Sequence, residues 1–347
     1  MLFRTEVTVD RLGPRKPTLE DVARAAGVSR ALVSIVIRGA PGASDGTRTR
    51  VMAVAEELGY RPDVRARQLA RSSPRLIGVT YKVGSLHHSD LLSPIYETAE
   101  GAGYEVILSG RTRRHDEHHA ANALLGYRCD ALLIISPEVS EAELHRLSEI
   151  VPVLSLGRKM LHSATDVDVV RTDEITGIRM AIDHLRALGH ERIVHIDGGA
   201  GVISTDRRQA YRDHMTKLGL REQVHVVTGG DHGEAGRRAG RHLLQGPDRP
   251  TALICYNDEC AWGVMRALAD EGLEVPRDVS VVGYDGSPVA TMAPHQLTTI
   301  RQDTDGLGKT SVERLIARLE HNVPIGDHVL VPAFMPGETT GPAPTDD

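Results

Sequence analysis

The sequence predicts a two-part chain, in which a small all-α head precedes a larger α/β body made of two doubly wound lobes. Three observations support this fold class: a basic first segment, closely spaced helical patterns within that segment, and a regular alternation of apolar runs and helical segments after it. With 347 residues the chain exceeds one ordinary domain, and its 40% hydrophobic content is sufficient for buried cores.

Helical patterns near the start predict three short helices. Thr18 and Asp21 have the spacing of a capping box, and Ser29 and Ser44 stand where they would cap the second and third helices. Two short helices joined by a turn containing Gly27, with a third supporting them, form a helix-turn-helix arrangement. The residues predicted to form its small apolar core are Val22, Ala25, Ala26, Leu32, Val33, Val36, Val51, Val54, Ala55 and Leu58.

Charge is distributed unevenly along the chain, although the net charge is −6. Residues 1–75 contain 14 Lys and Arg against 8 Asp and Glu, whereas the remainder contains 27 against 39. A basic head on an acidic body is typical of a head that neutralises nucleic-acid phosphates and a body that does not.

After residue 75 the sequence alternates between apolar runs and helical segments, which predicts parallel sheets covered by helices. Eight or more strands over this length indicate two lobes, and their ligand is expected beyond the carboxyl ends of the strands. The predicted strands are Leu76–Val79, Val106–Leu108, Ala131–Ile135, Val153–Leu156, Ile193–Ile196, Val224–Val227, Ala252–Cys255 and Val279–Val282.

Several other classes of protein are disfavoured. The three cysteines form no CxxC pair, no apolar stretch is long enough to span a membrane, and Met1–Pro17 has no apolar signal region, so we expect a cytoplasmic, nucleoid-associated protein. Glycines 199 and 201 give only a partial dinucleotide-binding pattern, and no hydrolase, zinc-protease or P-loop motif is present. The sequence therefore predicts neither an enzyme nor a cofactor.

Motifs along nearly the whole chain resemble the LacI/GalR family of bacterial transcriptional repressors. They occur in the order of that family, at residues 18–39, 47–70, 172–196, 257–268, 281–285 and 297–303. The resemblance implies a helix-turn-helix head, a hinge helix and a periplasmic-binding-protein-like body. The implied parts are a flexible arm (1–16), the head (17–61), the hinge helix and linker (62–74), the N-terminal lobe (75–172 with 304–328), the C-terminal lobe (173–303 with 329–340) and a disordered tail (341–347).

The resemblance also implies how the head contacts DNA. Arg30, Ala31 and Ile35 would meet base edges in the major groove, and Leu69 would act as a wedge in the minor groove, because the neighbouring arginines offer it no apolar face. Arg38 stands where the family commonly has Asn. The complete predicted set of DNA contacts is Thr18, Ser29, Arg30, Ala31, Ser34, Ile35, Arg38, Ser44, Thr47, Tyr60, Arg65, Ala66 and Leu69.

The family pattern places an effector between the lobes of the body. Arg207 matches the arginine that grips the ligand, and Asn257 and Asp285 match polar groups that bond to sugar hydroxyls. The complete predicted set of effector contacts is His87, His88, Ser89, Arg158, Arg207, His232, Asn257 and Asp285.

Histidines stand where this family usually has rings that stack on the ligand, since His87-His88-Ser89 and His232 occupy those places. A sugar or sugar derivative is expected from the resemblance, and a phosphorylated or acidic effector stays open. A metal sensor built from these histidines with His115, His118 and His119 is disfavoured, because their spacing is not that of a metal site. No bound metal is predicted.

The predicted function is that of a regulator, most simply a repressor of a carbohydrate-uptake or catabolism operon. It would bind a palindromic operator in double-stranded DNA as a homodimer, with Trp262 at the subunit interface or else in the core. The alternatives are a co-repressor-dependent regulator of non-sugar metabolism, a solute-binding protein and a dinucleotide-binding enzyme.

Overall fold

The computed structural model describes residues 17–37, 39–60, 75–161, 166–245, 249–291 and 296–344. The chain divides into two compact units, residues 1–74 and residues 75–347. Among the described residues, no helix has the length and apolar character needed to cross a membrane.

Three helices form the head, as predicted: α1 (Leu19–Ala26), α2 (Arg30–Ile37) and α3 (Asp45–Glu57). The capping box at α1 is confirmed, because the Asp21 N–H donates to Thr18 Oγ1 and the Thr18 N–H donates to Asp21 Oδ2. Two core predictions are wrong: Ala23 is buried in place of the exposed Ala25, and Leu58 is 37% exposed beyond the end of α3.

The body is built from alternating strands and helices. Its elements are β1 (Leu76–Lys82), α4 (Leu86–Gly101), β2 (Glu105–Arg111), α5 (Glu117–Gly126), β3 (Ala131–Ile135), α6 (Glu141–Ser148), β4 (Val153–Leu156), β5 (Val167–Thr172), α7 (Glu174–Ala187), β6 (Ile193–Asp197), α8 (Val202–Lys217), β7 (His225–Thr228), α9 (Gly233–Leu244), β8 (Ala252–Cys255), α10 (Asp258–Asp270), β9 (Ser280–Asp285), β10 (Thr298–Arg301), α11 (Thr304–His321), β11 (Asp327–Leu330) and β12 (Ala333–Met335).

Two six-stranded sheets form the cores of two lobes, which confirms the predicted doubly wound architecture. The N-terminal lobe has the strand order β11-β5-β4-β3-β1-β2, and every neighbouring pair is parallel. The C-terminal lobe has the order β12-β10-β9-β8-β6-β7, in which only β12 is antiparallel. Because both sheets are parallel, the carboxyl ends of their strands lie together at one edge of each sheet, where ligands of such folds bind.

The chain passes between the two sheets three times. The first two passages follow β5 and β10, close to the predicted boundaries. The predicted third boundary, after residue 328, falls inside β11, so the passage lies after Leu330. The prediction of a disordered tail is also wrong for residues 341–344: the Gly341 carbonyl lies 3.0 Å from His190 Nε2, and the Ala343 N–H donates to the Leu188 carbonyl at 2.9 Å. Residues 345–347 lie outside the described residues.

His195, on the central strand β6, is a fully buried imidazole in the C-terminal lobe. Its Nδ1 lies 3.0 Å from the Ile254 carbonyl oxygen, and its ring centroid is 5.4 Å from that of Tyr211. Burial lowers its pKa from 6.5 to about 4. The ring therefore stays neutral in the folded protein while it takes up a proton below pH 6.5 in the unfolded chain.

We predict that His195 makes the body less stable in acid. Because the pKa of His195 is lower in the folded protein than in the unfolded chain, the contribution of His195 to the free energy of unfolding is present above pH 6.5 and is lost as the pH falls. Between about pH 7.5 and pH 5, the native protein should lose about 2 kcal/mol more unfolding free energy than His195→Gln does. Urea titrations at both pH values measure this difference. An exposed control, His321→Gln, should follow the native protein, and equal losses in all three proteins would show that His195 does not cause the effect.

Candidate nucleic-acid interface and ligand cavity

One side of α2 forms an exposed surface of the head. Arg30, Ala31, Ser34 and Ile35 line a shallow depression together with Leu19. The opposite side of α2 is buried in the core of the head. The exposed side therefore combines a guanidinium with small and apolar groups, which are the side chains that read base edges in a major groove.

Hydroxyl side chains cap the helices around this surface. Ser29 Oγ accepts a hydrogen bond from the Leu32 N–H at 3.2 Å, and Ser44 Oγ accepts one from the Thr47 N–H at 3.4 Å. Ser44 Oγ also lies 2.9 Å from Thr47 Oγ1. Ser29 and Ser44 are exposed at helix N-termini, where backbone N–H groups favour a phosphate. Capping and phosphate contact are therefore compatible at both positions.

The remaining predicted DNA contacts fall into two groups. Tyr60 is partly buried against the core of the head, and its N–H donates to the Ala55 carbonyl at 2.8 Å. The other group lies outside the described residues and consists of Arg38, Arg65, Ala66 and Leu69.

A cavity of about 600 Å³ lies within the body, lined from both lobes by residues at and beyond the carboxyl ends of strands. On the N-terminal side the lining residues are Lys82, Ser85, His87, His88, Arg111, Ser136, Pro137, Glu138, Val139, Ser140, Gly157 and Arg158. On the C-terminal side they are Glu174, Gly198, Ala200, Gly201, Val202, Ile203, Ser204, Arg207, Asp231, Tyr256, Asn257, Asp285 and Gln302.

The Arg207 guanidinium occupies the C-terminal side of this cavity and is 3% exposed. Its Nε and Nη2 donate to the two carboxylate oxygens of Glu174, at 2.7 and 3.3 Å, and its Nη1 donates to the Tyr256 carbonyl. Its Cζ lies 3.6 Å from the ring centroid of Tyr284. Gly177 makes room for that ring, because a Cβ there would come within 2.9 Å of Tyr284 Cζ. The charge of Arg207 is thus held in a fixed position and compensated inside the protein.

Gln302 connects the two sides of the cavity. Its Nε2 donates to Asp285 Oδ1 at 2.7 Å and lies 3.3 Å from His87 Nε2, while its Oε1 accepts from the Thr172 hydroxyl. Asp285 has a φ of 106°, a backbone conformation that residues other than glycine rarely adopt. This strained residue is held in place with its carboxylate 3.6 Å from Arg207 Nη2.

Two ion pairs also join the lobes. Lys82 Nζ bonds to the Asp231 carboxylate, and Lys159 Nζ lies 2.8 Å from Asp206 Oδ1. The two lysine side chains are 39% and 37% exposed, so solvent screens both pairs and each contributes little to stability.

A buried arginine supports the loop of residues 136–140 that lines the cavity. Arg111 Nη2 donates to the carbonyls of Ile135 and Ser136, at 3.0 and 3.3 Å, and its Nη1 lies 3.4 Å from Glu117 Oε1. The Glu117 carboxylate in turn accepts the N–H groups of residues 138 and 139. Arg111 therefore has a carboxylate partner behind the cavity wall.

Arg158 is buried at the same wall without such a partner. Its side chain donates from Nη1 to the carbonyls of Pro137 and Val139, and its Nε has no hydrogen-bond partner. In the described part of the chain, no Asp or Glu oxygen lies within 4.0 Å of its guanidinium. Burial lowers the pKa of Arg158, which reflects the cost of holding a charge away from water.

Comparison with known proteins gives matches over both units. Residues 18–63 match the family of bacterial regulatory proteins named after lacI, and residues 182–340 match a periplasmic binding protein-like domain. The lactose operon repressor of Escherichia coli K12 is 32% identical over 332 residues, covering 93% of this chain and 90% of that protein. Catabolite control protein A of Priestia megaterium is 30% identical over 323 residues, covering 88% and 97%.

The chain belongs to the LacI family of bacterial regulatory proteins. A crystal structure of the Lac repressor dimer bound to operator and the anti-inducer ONPF matches it with a TM-score of 0.81 and 30% identity, covering 94% of this chain and 100% of that one. The predicted family and fold class are confirmed. This LacI-family protein is a DNA-binding transcriptional regulator, and these relatives are regulators rather than enzymes.

The structure brings six of the eight predicted effector residues to the cavity: His87, His88, Arg158, Arg207, Asn257 and Asp285. The Asn257 side chain is already engaged, because its Oδ1 caps α10 at the Cys260 N–H and its Nδ2 donates to the Asp231 carbonyl. Its role in effector binding stays a prediction, as it does for the other five.

Ser89 and His232 do not line the cavity. Ser89 is exposed on α4, with its hydroxyl donating to the Ser85 carbonyl, and His232 is exposed as the N-cap of α9, with its Nδ1 accepting from the Ala235 N–H. The neighbouring Asp231 reaches the cavity instead.

The lining residues that the sequence did not predict include Lys82, Arg111, Tyr256 and Gln302. Each stands at or just beyond the carboxyl end of a strand, which is the signal that could have identified them. Tyr256 directly precedes the predicted Asn257, and Gln302 lies within one of the motifs that carried the family resemblance.

The histidines of the LacI-family body differ in environment. His88 is 6% exposed, its Nδ1 accepts from the Lys82 N–H at 3.0 Å, and burial, with the nearby His87, Arg111 and Lys82, lowers its pKa well below 6.5. It is therefore neutral and does not offer a positive charge to a ligand. His118 and His119 lie at the surface beside carboxylates, and no group of described residues is arranged to hold a metal.

Trp262 is 47% exposed on the outer side of α10, so the core alternative for this residue is wrong. A place for it at the subunit interface stays a prediction.

We predict that Glu174→Gln strongly destabilises the body. Removing its charge leaves the buried Arg207 without its bidentate partner, so the unfolding free energy should fall by about 3–5 kcal/mol. Urea titration, monitored by tryptophan fluorescence, measures this loss of unfolding free energy. Glu191→Gln breaks a surface pair with Arg186 and should cost less than about 1 kcal/mol. Similar losses in the two variants would contradict a special role for the Glu174–Arg207 pair.

Proposed function

We propose that this LacI-family protein is a homodimeric repressor of an operon for carbohydrate uptake or catabolism. It binds palindromic double-stranded operator DNA in the cytoplasm, with an affinity set by a small effector. The observation that carries the proposal is that one chain combines an exposed base-reading surface on α2 with a polar cavity at the carboxyl ends of two parallel sheets. The similarity to a lactose operon repressor and to a Lac repressor dimer bound to operator supports it.

The cavity favours a small polyhydroxy effector, a sugar or sugar derivative. Its volume of about 600 Å³ is ample for such a molecule. Its walls present carboxylates, guanidiniums and amides, and a hydroxyl group can both donate to and accept from these. Among the described lining residues, Tyr256 is the one phenol or benzene ring, so hydrogen bonding outweighs ring stacking.

The effector acts by linkage between the cavity and DNA affinity. A ligand that binds one arrangement of the lobes better than another shifts the population towards that arrangement. The contacts that such a shift would alter are the Lys82–Asp231 pair, the Lys159–Asp206 pair and the His87–Gln302 contact. Dimerisation supplies the second head that a palindrome requires, and the exposed Trp262 is the residue we assign to the subunit contact.

Fluorescence polarisation tests this function directly. We expect the protein to bind a palindromic operator duplex much more tightly than a randomised duplex, and we expect at least one member of a panel of sugars and sugar phosphates to change that affinity. A fall in affinity identifies an inducer and a rise identifies a co-repressor. Equal binding to both duplexes would refute the regulator proposal, and a panel without any effect would refute effector control.

The same titration with Arg30→Ala tests the base-reading surface. If Arg30 forms a bidentate pair with a guanine, the preference for operator over random DNA should fall by about 1–3 kcal/mol. The control Arg113→Ala removes an exposed arginine of the body and should leave the preference unchanged. A variant that loses operator and random binding equally would show that Arg30 contacts only phosphates.

A further inference from the structure

Arg158 is a buried cation in the cavity wall that contacts two backbone carbonyls but no carboxylate, while Glu117 and Glu141 act on its charge from beyond ion-pair distance. It is 6% exposed, it lines the cavity, and its Nε has no hydrogen-bond partner. The other three lining cations each have a carboxylate: Lys82 pairs with Asp231, Arg111 with Glu117, and Arg207 with Glu174. Because burying a charge without a carboxylate in contact is costly, a site that contains such a charge is suited to a ligand of opposite charge.

The first turn of α8 lines the same cavity. Its N-cap is Gly201, which has no side chain to cap the helix, and its first turn contains no acidic residue. Residues 201–204 all line the cavity, so the uncapped N-terminus of this 16-residue helix borders the ligand space. The free N–H groups and the helix dipole favour an anion there.

These two features are neighbours, although they belong to different lobes. A Cβ at Gly157, directly before Arg158, would lie 3.7 Å from Cδ1 of Ile203 in the first turn of α8. Lys159, which directly follows Arg158, pairs at 2.8 Å with Asp206, which lies three residues beyond Ile203. The turn that carries Arg158 therefore lies against the start of α8.

We propose that the effector of this protein carries an anionic group, a phosphate or a carboxylate, which binds between the Arg158 guanidinium and the N-terminus of α8. This inference rests on the proposed function, since it names the chemical class of the effector in the same cavity. The hydroxyl groups of the effector would then face the Glu174–Arg207–Asp285 side. A ligand held by Arg158 from one lobe and by α8 from the other also bridges the lobes, so its binding favours their approach.

Thermal melting of the full chain with inorganic phosphate, glucose 6-phosphate, gluconate and glucose at millimolar concentrations tests the proposal. We expect phosphate and at least one of the two anionic sugars to raise the melting temperature more than glucose does. In Arg158→Gln the dissociation constant for phosphate should rise at least about tenfold, because a charge-assisted hydrogen bond is lost. The control Arg113→Gln removes an exposed arginine that does not line the cavity and should bind phosphate as the native protein does.

Substitution of the helix cap gives an independent test. Gly201 has extended backbone angles and open space at its Cβ position, so Asp and Asn both fit there as N-caps. Gly201→Asp and Gly201→Asn should therefore fold without loss of melting temperature. Gly201→Asp should abolish stabilisation by phosphate, because its carboxylate occupies the anion position, and the neutral Gly201→Asn should retain part of it.

The outcomes separate this inference from the proposed function. Stabilisation by glucose alone, or equal phosphate binding in native protein, Arg158→Gln and Gly201→Asp, would overturn the anionic group while leaving an effector-controlled regulator intact. A protein that binds phosphate as expected but whose operator affinity no anionic ligand changes would keep the site and overturn its role as the effector site.

Discussion

The buried pairing of Arg207 with Glu174 is the interaction on which the body of this protein depends. A guanidinium that is 3% exposed requires a carboxylate and a full set of acceptors, and these come from α7 and from the chain after β8. The same guanidinium lies over the Tyr284 ring of β9. One charge therefore fixes the relative positions of α7, α8, β8 and β9, which are the elements that form the C-terminal wall of the cavity.

The N-terminal wall is also held by buried arginines, but only one of the two has a carboxylate in contact with it. Arg111 and Glu117 hold the loop of residues 136–140 from behind, while Arg158 donates to carbonyls of the same loop and has no carboxylate in contact with it. Among the described residues, the contacts between the lobes include two partly exposed ion pairs and the hydrogen bonds of Gln302 with His87 and Thr172. Rigid walls joined by weak contacts are what a ligand-controlled switch requires, since a small binding energy is then sufficient to shift the arrangement.

Much of this organisation was predictable because it follows from local patterns. The capping box at Thr18, the strands with continuous apolar runs and six of the cavity residues all have sequence signals that do not depend on distant contacts. The missed elements lack such signals. Strand β5 contains Asp168, whose buried carboxylate is held by Arg314 and Arg318 of α11 and by the Gly326 N–H. His232 occupies the expected place for a cavity ring, yet it caps α9, so Asp231 reaches the cavity instead. Such outcomes depend on tertiary partners that spacing along the chain does not reveal.

Effector control requires that occupation of the cavity and DNA binding by the head are thermodynamically coupled. Calorimetric titration of an active effector into the free protein and into the protein–operator complex measures this coupling most directly. Linkage predicts that the two effector affinities differ by the same factor by which the effector changes operator affinity. Identical effector affinities in the two titrations would contradict the coupling, because effector binding in the cavity would then leave the DNA affinity of the head unchanged.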